Sequence, residues 1–171
     1  MTRGFYIGRF QPFHDGHREV VAQVATEMDE VVVGIGSADA SHSVRNPFTA
    51  GERVLMISRV LESLDARTYV VPIEDINRNA VWVSLIRSMC PDFDVAYSNN
   101  PLVVRLFEEA GIEVRRPEMV NRGDLKGSEI RERIVAGEEW THLVPDAAAD
   151  VVDEIDGVER LRAIAGGDSE S

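Results

Sequence analysis

The sequence has a single cysteine, a single lysine and no apolar run as long as a membrane span. The lone cysteine, Cys90, excludes an intrachain disulfide and is typical of a reducing compartment. No charged-then-apolar leader is seen, because a strand-like run begins almost at once, near Phe5. We therefore expect a cytoplasmic protein that does not associate with membranes.

Basic residues are scarce: 18 Lys and Arg face 30 Asp and Glu, which gives a formal net charge of −12. Such a field argues against binding to nucleic acid or to an anionic membrane. All the basic residues except Lys126 are arginines, and several recur in candidate loops. These are Arg9, Arg45, Arg122 and Arg131. An acidic surface around a locally basic site is typical of enzymes for small phosphorylated substrates. Acidic composition also occurs in proteins from a high-salt cytoplasm, and the sequence leaves that open.

Apolar runs typical of strands alternate five times with amphipathic segments typical of helices. The predicted strands are Arg3–Ile7, Val31–Ile35, Thr68–Ile73, Asp94–Tyr97 and Ile112–Arg115. The predicted helices are Gly16–Met28, one opened by a capping box at Thr49 and Glu52, one carrying Trp82 to Met89, Leu102–Ala110, Ser128–Ala136, and one or two between Asp146 and Ile164. This alternation predicts an α/β fold, a Rossmann-like doubly wound five-stranded parallel sheet with C-terminal helices. We expect one domain, residues 1–171, with a polar tail that frays from about residue 166.

The turn after the first predicted strand, residues 8–17, contains two of the four histidines, His14 and His17. Because this turn leads into a helix, its backbone N–H groups and imidazole edges can bind an anion such as phosphate. Two histidines at this spacing also suit zinc, but no third ligand is close in sequence and the His-Glu-x-x-His pattern is absent. A purely structural pair also remains open. We predict that this turn is the phosphate-handling centre.

Residues 8–17 resemble the signature of the His-x-Gly-His nucleotidyltransferase superfamily. The longer match resembles the archaeal-type nicotinamide-nucleotide adenylyltransferases, and its further blocks are residues 41–53, 74–82, 98–103 and 127–131. The resemblance implies transfer of AMP from ATP to nicotinamide mononucleotide, giving NAD and pyrophosphate, with Mg²⁺ or another divalent cation held by substrate phosphates. It also implies a homo-oligomer, for example a hexamer. The alternatives are a superfamily member with a different phosphate acceptor and a nucleotide-binding regulator without turnover.

The reaction that the resemblance implies needs no strong general base, because the attacking phosphate is mostly dianionic above its second pKa of about 6. It needs alignment and charge neutralisation during direct in-line attack on the α-phosphorus of ATP. By resemblance the catalytic residues are His14, His17, Arg9 and Arg131. The ATP-binding residues are Gly8, Arg9, His14, His17, Arg45, Arg122, Gly127, Ser128 and Arg131. Alternatively, Arg131 pairs with Glu129 or Glu132 on a surface helix, and Arg45 is a solvated loop residue.

The pyridine mononucleotide is expected to bind at residues 74–82, through Asp75, Ile76, Asn79 and Trp82. An indole face that stacks on a cationic pyridinium ring gains about 0.5–2 kcal/mol. The alternative is a core tryptophan on an apolar helix face, with Asp75 and Asn79 serving only as helix caps. Trp140 is predicted to be a packing residue.

Overall fold

A computed structural model describes residues 1–119 and 126–170, with side chains to residue 167. The strands are β1 (Arg3–Gly8), β2 (Glu30–Ile35), β3 (Arg67–Pro72), β4 (Val95–Tyr97) and β5 (Glu113–Arg115). The helices are α1 (Asp15–Glu27), α2 (Ala50–Leu61), α3 (Trp82–Met89), α4 (Pro101–Glu109), α5 (Gly127–Ala136), α6 (Asp146–Glu154) and α7 (Gly157–Glu170). Short 3₁₀ turns cover Asn79–Val81 and Thr141–Leu143. Arg122, one of the predicted ATP-binding residues, lies outside the described residues.

All five strands are parallel, in the order β3-β2-β1-β4-β5. The Rossmann-like doubly wound sheet is therefore confirmed. Strands β2 and β3 lie successively on one side of β1. The chain then crosses over, so that β4 and β5 lie on the other side of β1. In such sheets the crevice at this reversal, at the carboxyl ends of the strands, is where ligands bind. The predicted phosphate-handling turn follows β1 at this position.

Two hydrophobic layers cover the two faces of the sheet. Side chains of α1, α2, α5, α6 and α7 pack on one face, together with Val31 and Val33 of β2. Side chains of α3 and α4 pack on the other, together with Val32. Burial of every residue of β2 explains its continuous apolar run. Trp140 packs against the first of these layers, as predicted.

Several local signals at the helix ends are confirmed. Thr49 and Glu52 form the predicted capping box of α2. Asn100 caps α4, with Pro101 in its first turn. Gly111, just after α4, has a left-handed backbone with φ of 78°. Past residue 166, where we predicted a polar tail, the backbone remains helical as part of α7.

A bidentate ion pair joins the C-terminal helix to the start of α2. Arg160 donates to both carboxylate oxygens of Glu52 at 2.7 Å and to the carbonyl of Pro47 at 3.0 Å. Hydrogen bonds from Arg160 are the main reason that the pKa of Glu52 falls to about 2. The ion pair thus secures α7 to the loop that leads from β2 to α2.

We predict that Arg160→Met lowers the free energy of unfolding by about 2 kcal/mol at neutral pH, because charge-assisted hydrogen bonds are lost and Glu52 is left half-buried. Glu52 has a pKa of about 2 in the fold against an ordinary 4.5. Its stabilisation is therefore complete above the ordinary value and is lost as pH falls towards the folded one. Urea unfolding at several pH values should show the difference between wild type and variant shrinking as the solution is acidified.

The matched control is Arg105→Met, which removes an exposed arginine that is 3.6 Å from Glu109 on α4. We expect it to change the free energy of unfolding by less than about 0.5 kcal/mol. A cost for Arg160→Met that equals this control, or that does not change with pH, would contradict the assignment.

Candidate active site

The turn between β1 and α1 is folded around a buried aromatic ring. Phe10 has a left-handed backbone with φ of 54°, and its ring lies 5.8 Å from that of Tyr6 and 5.3 Å from that of Phe13. A Cβ on Gly8 would lie 2.8 Å from the Phe10 ring, so only glycine lets this ring fold back over the strand end. The turn is therefore built on the core and holds the residues after it in place.

His14 and His17 form a capping box at the start of α1. The Nδ1 atom of His14 accepts the backbone N–H groups of Gly16 at 3.1 Å and of His17 at 3.3 Å, and Nδ1 of His17 accepts that of His14 at 3.1 Å. The two rings are stacked with their centroids 3.5 Å apart. A ring nitrogen that accepts a hydrogen bond carries no proton, so each neutral imidazole carries its proton on Nε2. Both histidines thus have an Nε2–H donor that is not used in the cap.

Burial keeps both imidazoles uncharged near neutral pH. It lowers the pKa of His14 to about 4. The pKa of His17 is lowered well below its ordinary value by burial and by repulsion from His14. The ring of His17 also lies edge-on to that of Phe10, with centroids 4.8 Å apart. The pair therefore does have the structural role that the sequence left open, and it offers neutral donors.

Three arginines converge beside this turn. Burial and the neighbouring charge of Arg45 lower the pKa of Arg9, while Asp75 raises it. The pKa of Arg131 is lowered by burial and by the neighbouring charges of Arg9 and Arg45. Within residues 1–119 and 126–170, none of the three arginines forms an ion pair. Such a concentration of unpaired positive charge is suited to a polyanion.

Arg131 does not make the surface ion pair that the sequence left open. Glu129 pairs instead with Arg133, at 3.2 Å. Arg131 is half-buried and donates from Nη1 to the backbone carbonyl of Gln11, at 2.9 Å. The guanidinium of the fifth helix is thereby held against the turn after the first strand.

The first backbone N–H groups of α5 have no side-chain cap among the described residues. Its N-cap, Lys126, makes no side-chain capping bond. A Cβ on Gly127 would lie 2.8 Å from Nη1 of Arg131, so the glycine leaves the space in which the guanidinium folds back over the helix start. Free backbone N–H groups at a helix N-terminus, the helix dipole and a guanidinium together favour phosphate.

These elements enclose a cleft of about 260 Å³. It is lined by Arg9, Phe10, Gln11, His17, Gly127, Ser128 and Arg131. A more apolar groove of about 440 Å³ shares Ser128 and Arg131 with it and also includes Arg45. The structure thus brings Arg9 and His17 of the first turn together with the start of α5, and Arg45 to the adjoining groove, whereas Gly8 and the buried His14 are not among the described residues that line the cleft.

The predicted mononucleotide residues lie on the neighbouring loop, between β3 and α3. The backbone N–H of Asp75 donates to Asp39 at 3.2 Å, and the effect of Asp75 on the pKa of Arg9 places its carboxylate near the cationic cluster. Neither the 3₁₀ turn at Asn79 nor α3 has a side-chain cap among the described residues, so the capping alternative for Asp75 and Asn79 is not observed. Ile76 is half-buried in the same loop.

Trp82 begins α3 and packs on the sheet face opposite to α1. Its ring meets that of Phe107 edge-on, with centroids 5.5 Å apart. Part of the side chain thus packs on the core, as the alternative interpretation predicts. The side chain is nevertheless only partly buried, so it also has surface available to a ligand.

Known proteins were compared with the chain. Residues 5–133 match the cytidylyltransferase-like family. A nicotinamide-nucleotide adenylyltransferase from Halobacterium salinarum is 66% identical over 169 residues, which cover 99% of this chain and 96% of the relative. Another from Methanoculleus marisnigri is 59% identical, over 98% of this chain and 100% of the relative. The chain belongs to the nicotinamide-nucleotide adenylyltransferase family.

A solved structure supports the fold assigned to this family member. The bifunctional NMN adenylyltransferase/ADP ribose pyrophosphatase from Francisella tularensis, complexed with AMP and a manganese ion, superimposes with a TM-score of 0.77. The match covers 95% of this chain but 52% of the solved one, at 18% sequence identity. At that identity the likeness concerns the Rossmann-like fold alone.

Sequence reasoning missed two residues that hold this family member's cleft together. The buried amide of Gln11 both donates to the backbone carbonyl of Phe48, at 3.0 Å, and accepts its N–H, at 2.9 Å. Arg53 is completely buried beneath the turn. A signal for Arg53 was present, because it occupies the same face of α2 as the buried Met56, Ile57 and Val60. A basic residue on an apolar helix face needs buried acceptors.

Two further observations concern ligands and membranes. Among the described residues, no group of three or more His, Cys, Asp or Glu is arranged to hold a metal ion. No helix in the same part of the chain has the length and apolar character to cross a membrane.

Proposed function

We propose that this protein is a nicotinamide-nucleotide adenylyltransferase, which transfers AMP from ATP to nicotinamide mononucleotide and releases pyrophosphate. One observation carries the proposal. Neutral imidazole donors, three guanidinium groups that pair with no carboxylate of the described residues, and a helix start without a side-chain cap converge at the sheet reversal. The full-length archaeal relatives support the choice of acceptor.

Catalysis follows from positioning and charge stabilisation. The mononucleotide phosphate, mostly dianionic, attacks the α-phosphorus in line with the departing pyrophosphate, so no protein base is required. His14 and His17 donate from Nε2 to oxygens of the α-phosphate. Donors that are fixed before the reaction stabilise the developing charge without reorganisation.

The cations bind the leaving group. Arg131 and the N–H groups of Gly127 and Ser128 bind the pyrophosphate, while Arg9 and Arg45 reach the β- and γ-phosphates. Gly8 takes part in the proposed ATP site by making room for the Phe10 ring on which the turn is built, and Arg122 completes that site.

A divalent cation, Mg²⁺ in our proposal, accompanies ATP and neutralises phosphate charge when bound. We propose that the substrate phosphates hold this cation, since Mg²⁺ is usually bound through substrate phosphates and one or two carboxylates rather than in an all-protein cage. We further propose a cytoplasmic homo-oligomer, such as a hexamer.

Selection of the acceptor is assigned to the loop between β3 and α3. Trp82 stacks on the pyridinium ring, and Asp75, Ile76 and Asn79 contact the ribose hydroxyls or the carboxamide. The position of Asp75 near Arg9 supports this, because it joins the acceptor loop to the phosphate cleft. A member of the superfamily that uses phosphopantetheine has no aromatic ring to stack on this platform, so Trp82 argues against that acceptor.

The proposal is tested by incubating the protein with ATP, magnesium and one phosphate acceptor at a time, while pyrophosphate and the dinucleotide are followed. We expect nicotinamide mononucleotide to give NAD and pyrophosphate in equal amounts, and phosphopantetheine and riboflavin phosphate to give neither adduct nor pyrophosphate. Turnover with either of these instead, or nucleotide binding without turnover, would overturn the proposal.

We predict that Trp82→Ala raises KM for nicotinamide mononucleotide by about 2- to 30-fold, which corresponds to the loss of roughly 0.5–2 kcal/mol of stacking. KM for ATP should not change. The matched control is Trp140→Phe, in the layer on the other face of the sheet, which should change neither KM. An unchanged KM for the mononucleotide in Trp82→Ala would rule out the stacking role.

A further inference from the structure

Arg53 is the one charged side chain that is 0% exposed within the described chain, and it makes no ion pair there. All its partners are backbone carbonyl oxygens. Nε donates to Thr49 at 3.2 Å, Nη1 to Arg9 and Gly36 at 2.9 Å each, and Nη2 to Ser37 at 3.1 Å and Ala40 at 3.3 Å. A guanidinium has five N–H donors, so the five carbonyls use its full capacity.

This arrangement keeps a positive charge beneath the cleft. Burial and the charge of Arg9 lower the pKa of Arg53 to about 10, so it remains protonated at neutral pH. The charges of Asp39 and Glu52 act in the opposite direction and raise the pKa of Arg53. A buried cation that is neutralised only by carbonyl dipoles is costly to a fold, so its position calls for an explanation beyond stability.

Four of the five acceptors belong to two loops of the proposed site, and the fifth, Thr49, is the N-cap of α2 itself. One acceptor is the carbonyl of Arg9 itself, in the turn after β1. Gly36, Ser37 and Ala40 belong to the loop after β2, which continues to Arg45. The fork of Arg53 therefore fixes the backbones of both loops relative to each other. Because ATP would bind between Arg9 and Arg45, a change in that separation would move the phosphate contacts.

We propose that Arg53 is a positioning residue for adenylyl transfer, which holds the Arg9 turn and the loop after β2 at the separation that the ATP triphosphate requires. The inference rests on the proposed function. Lysine cannot replace this residue, because an ammonium group has three donors on a single atom and cannot span five carbonyls.

Arg53→Lys tests the proposal, since it keeps the charge and the length of the side chain but loses the fork. We expect kcat to fall about 10- to 100-fold and KM for ATP to rise several-fold, because small displacements of phosphate-binding groups are costly in rate. KM for nicotinamide mononucleotide should rise less than KM for ATP, since Arg53 bonds no residue of the proposed acceptor loop directly and that loop meets the loop after β2 through the Asp75–Asp39 hydrogen bond. Both proteins are assayed well below their unfolding temperatures, with circular dichroism as the check on folding.

The control for simple destabilisation is Val60→Ala, a cavity in the buried face of the same helix, α2. It should lower the unfolding temperature and leave kcat and both KM values at wild-type levels. Arg53→Lys with wild-type kcat and KM for ATP would overturn the proposal. So would an equal rise in both KM values.

Failure of the proposed function is distinguished from failure of this inference by calorimetric titration of magnesium–ATP into both proteins. If the wild type forms no dinucleotide, the function fails, but the inference still requires that Arg53→Lys bind ATP several-fold more weakly than wild type. Equal ATP affinities would overturn it.

Discussion

The hydrogen bonds between two imidazole Nδ1 atoms and the first backbone N–H groups of α1 determine much of the chemistry of this site. Because His14 and His17 accept these N–H groups, their protons lie on Nε2. In this arrangement the two rings are stacked and buried, and burial keeps them neutral. One structural requirement, the capping of a helix, therefore produces two oriented donors where a phosphate is expected. No acid–base cycle is needed.

The second constraint is electrostatic. A chain with a net charge of −12 gathers Arg9, Arg45 and Arg131 at one edge of its sheet, where no carboxylate in the described part of the chain pairs with them. Mutual repulsion of these cations destabilises the free protein, and bound ATP, a polyanion, would remove that repulsion. The guanidinium of Arg131 is oriented by a backbone carbonyl, that of Gln11, rather than by a carboxylate. Carbonyl dipoles fix position without cancelling the charge that the substrate needs.

The fold could be predicted from sequence because its signals are local. Most of the strands contain a short apolar run, and the capping box at Thr49 and the proline after Asn100 mark helix starts within a few residues. The resemblance placed His14, His17 and Arg131 in one site for the same reason, since each belongs to a short motif.

What could not be predicted depends on contacts between distant parts of the chain. Arg131 meets the carbonyl of a residue 120 positions away, and Arg160 meets Glu52 at a separation of 108. The carbonyl partners of Arg53 have no sequence signature at all, because every residue has a carbonyl. An arginine on an apolar helix face indicates that buried acceptors exist, but only the folded chain shows that most of them belong to the two loops of the cleft.

We propose that His14 serves at once as a helix cap and as a neutral donor to phosphate. The variant that separates these two roles is His14→Asn. Asparagine is a favoured N-cap, so its side-chain oxygen replaces Nδ1, but its amide nitrogen takes the place of Cδ2 and does not reach the position of Nε2–H. The measurement is kcat for dinucleotide formation, together with the free energy of unfolding. For His14→Asn we predict a free energy of unfolding within about 1 kcal/mol of wild type and a kcat lower by about 10²- to 10³-fold. A well-folded His14→Asn protein with wild-type kcat would contradict it.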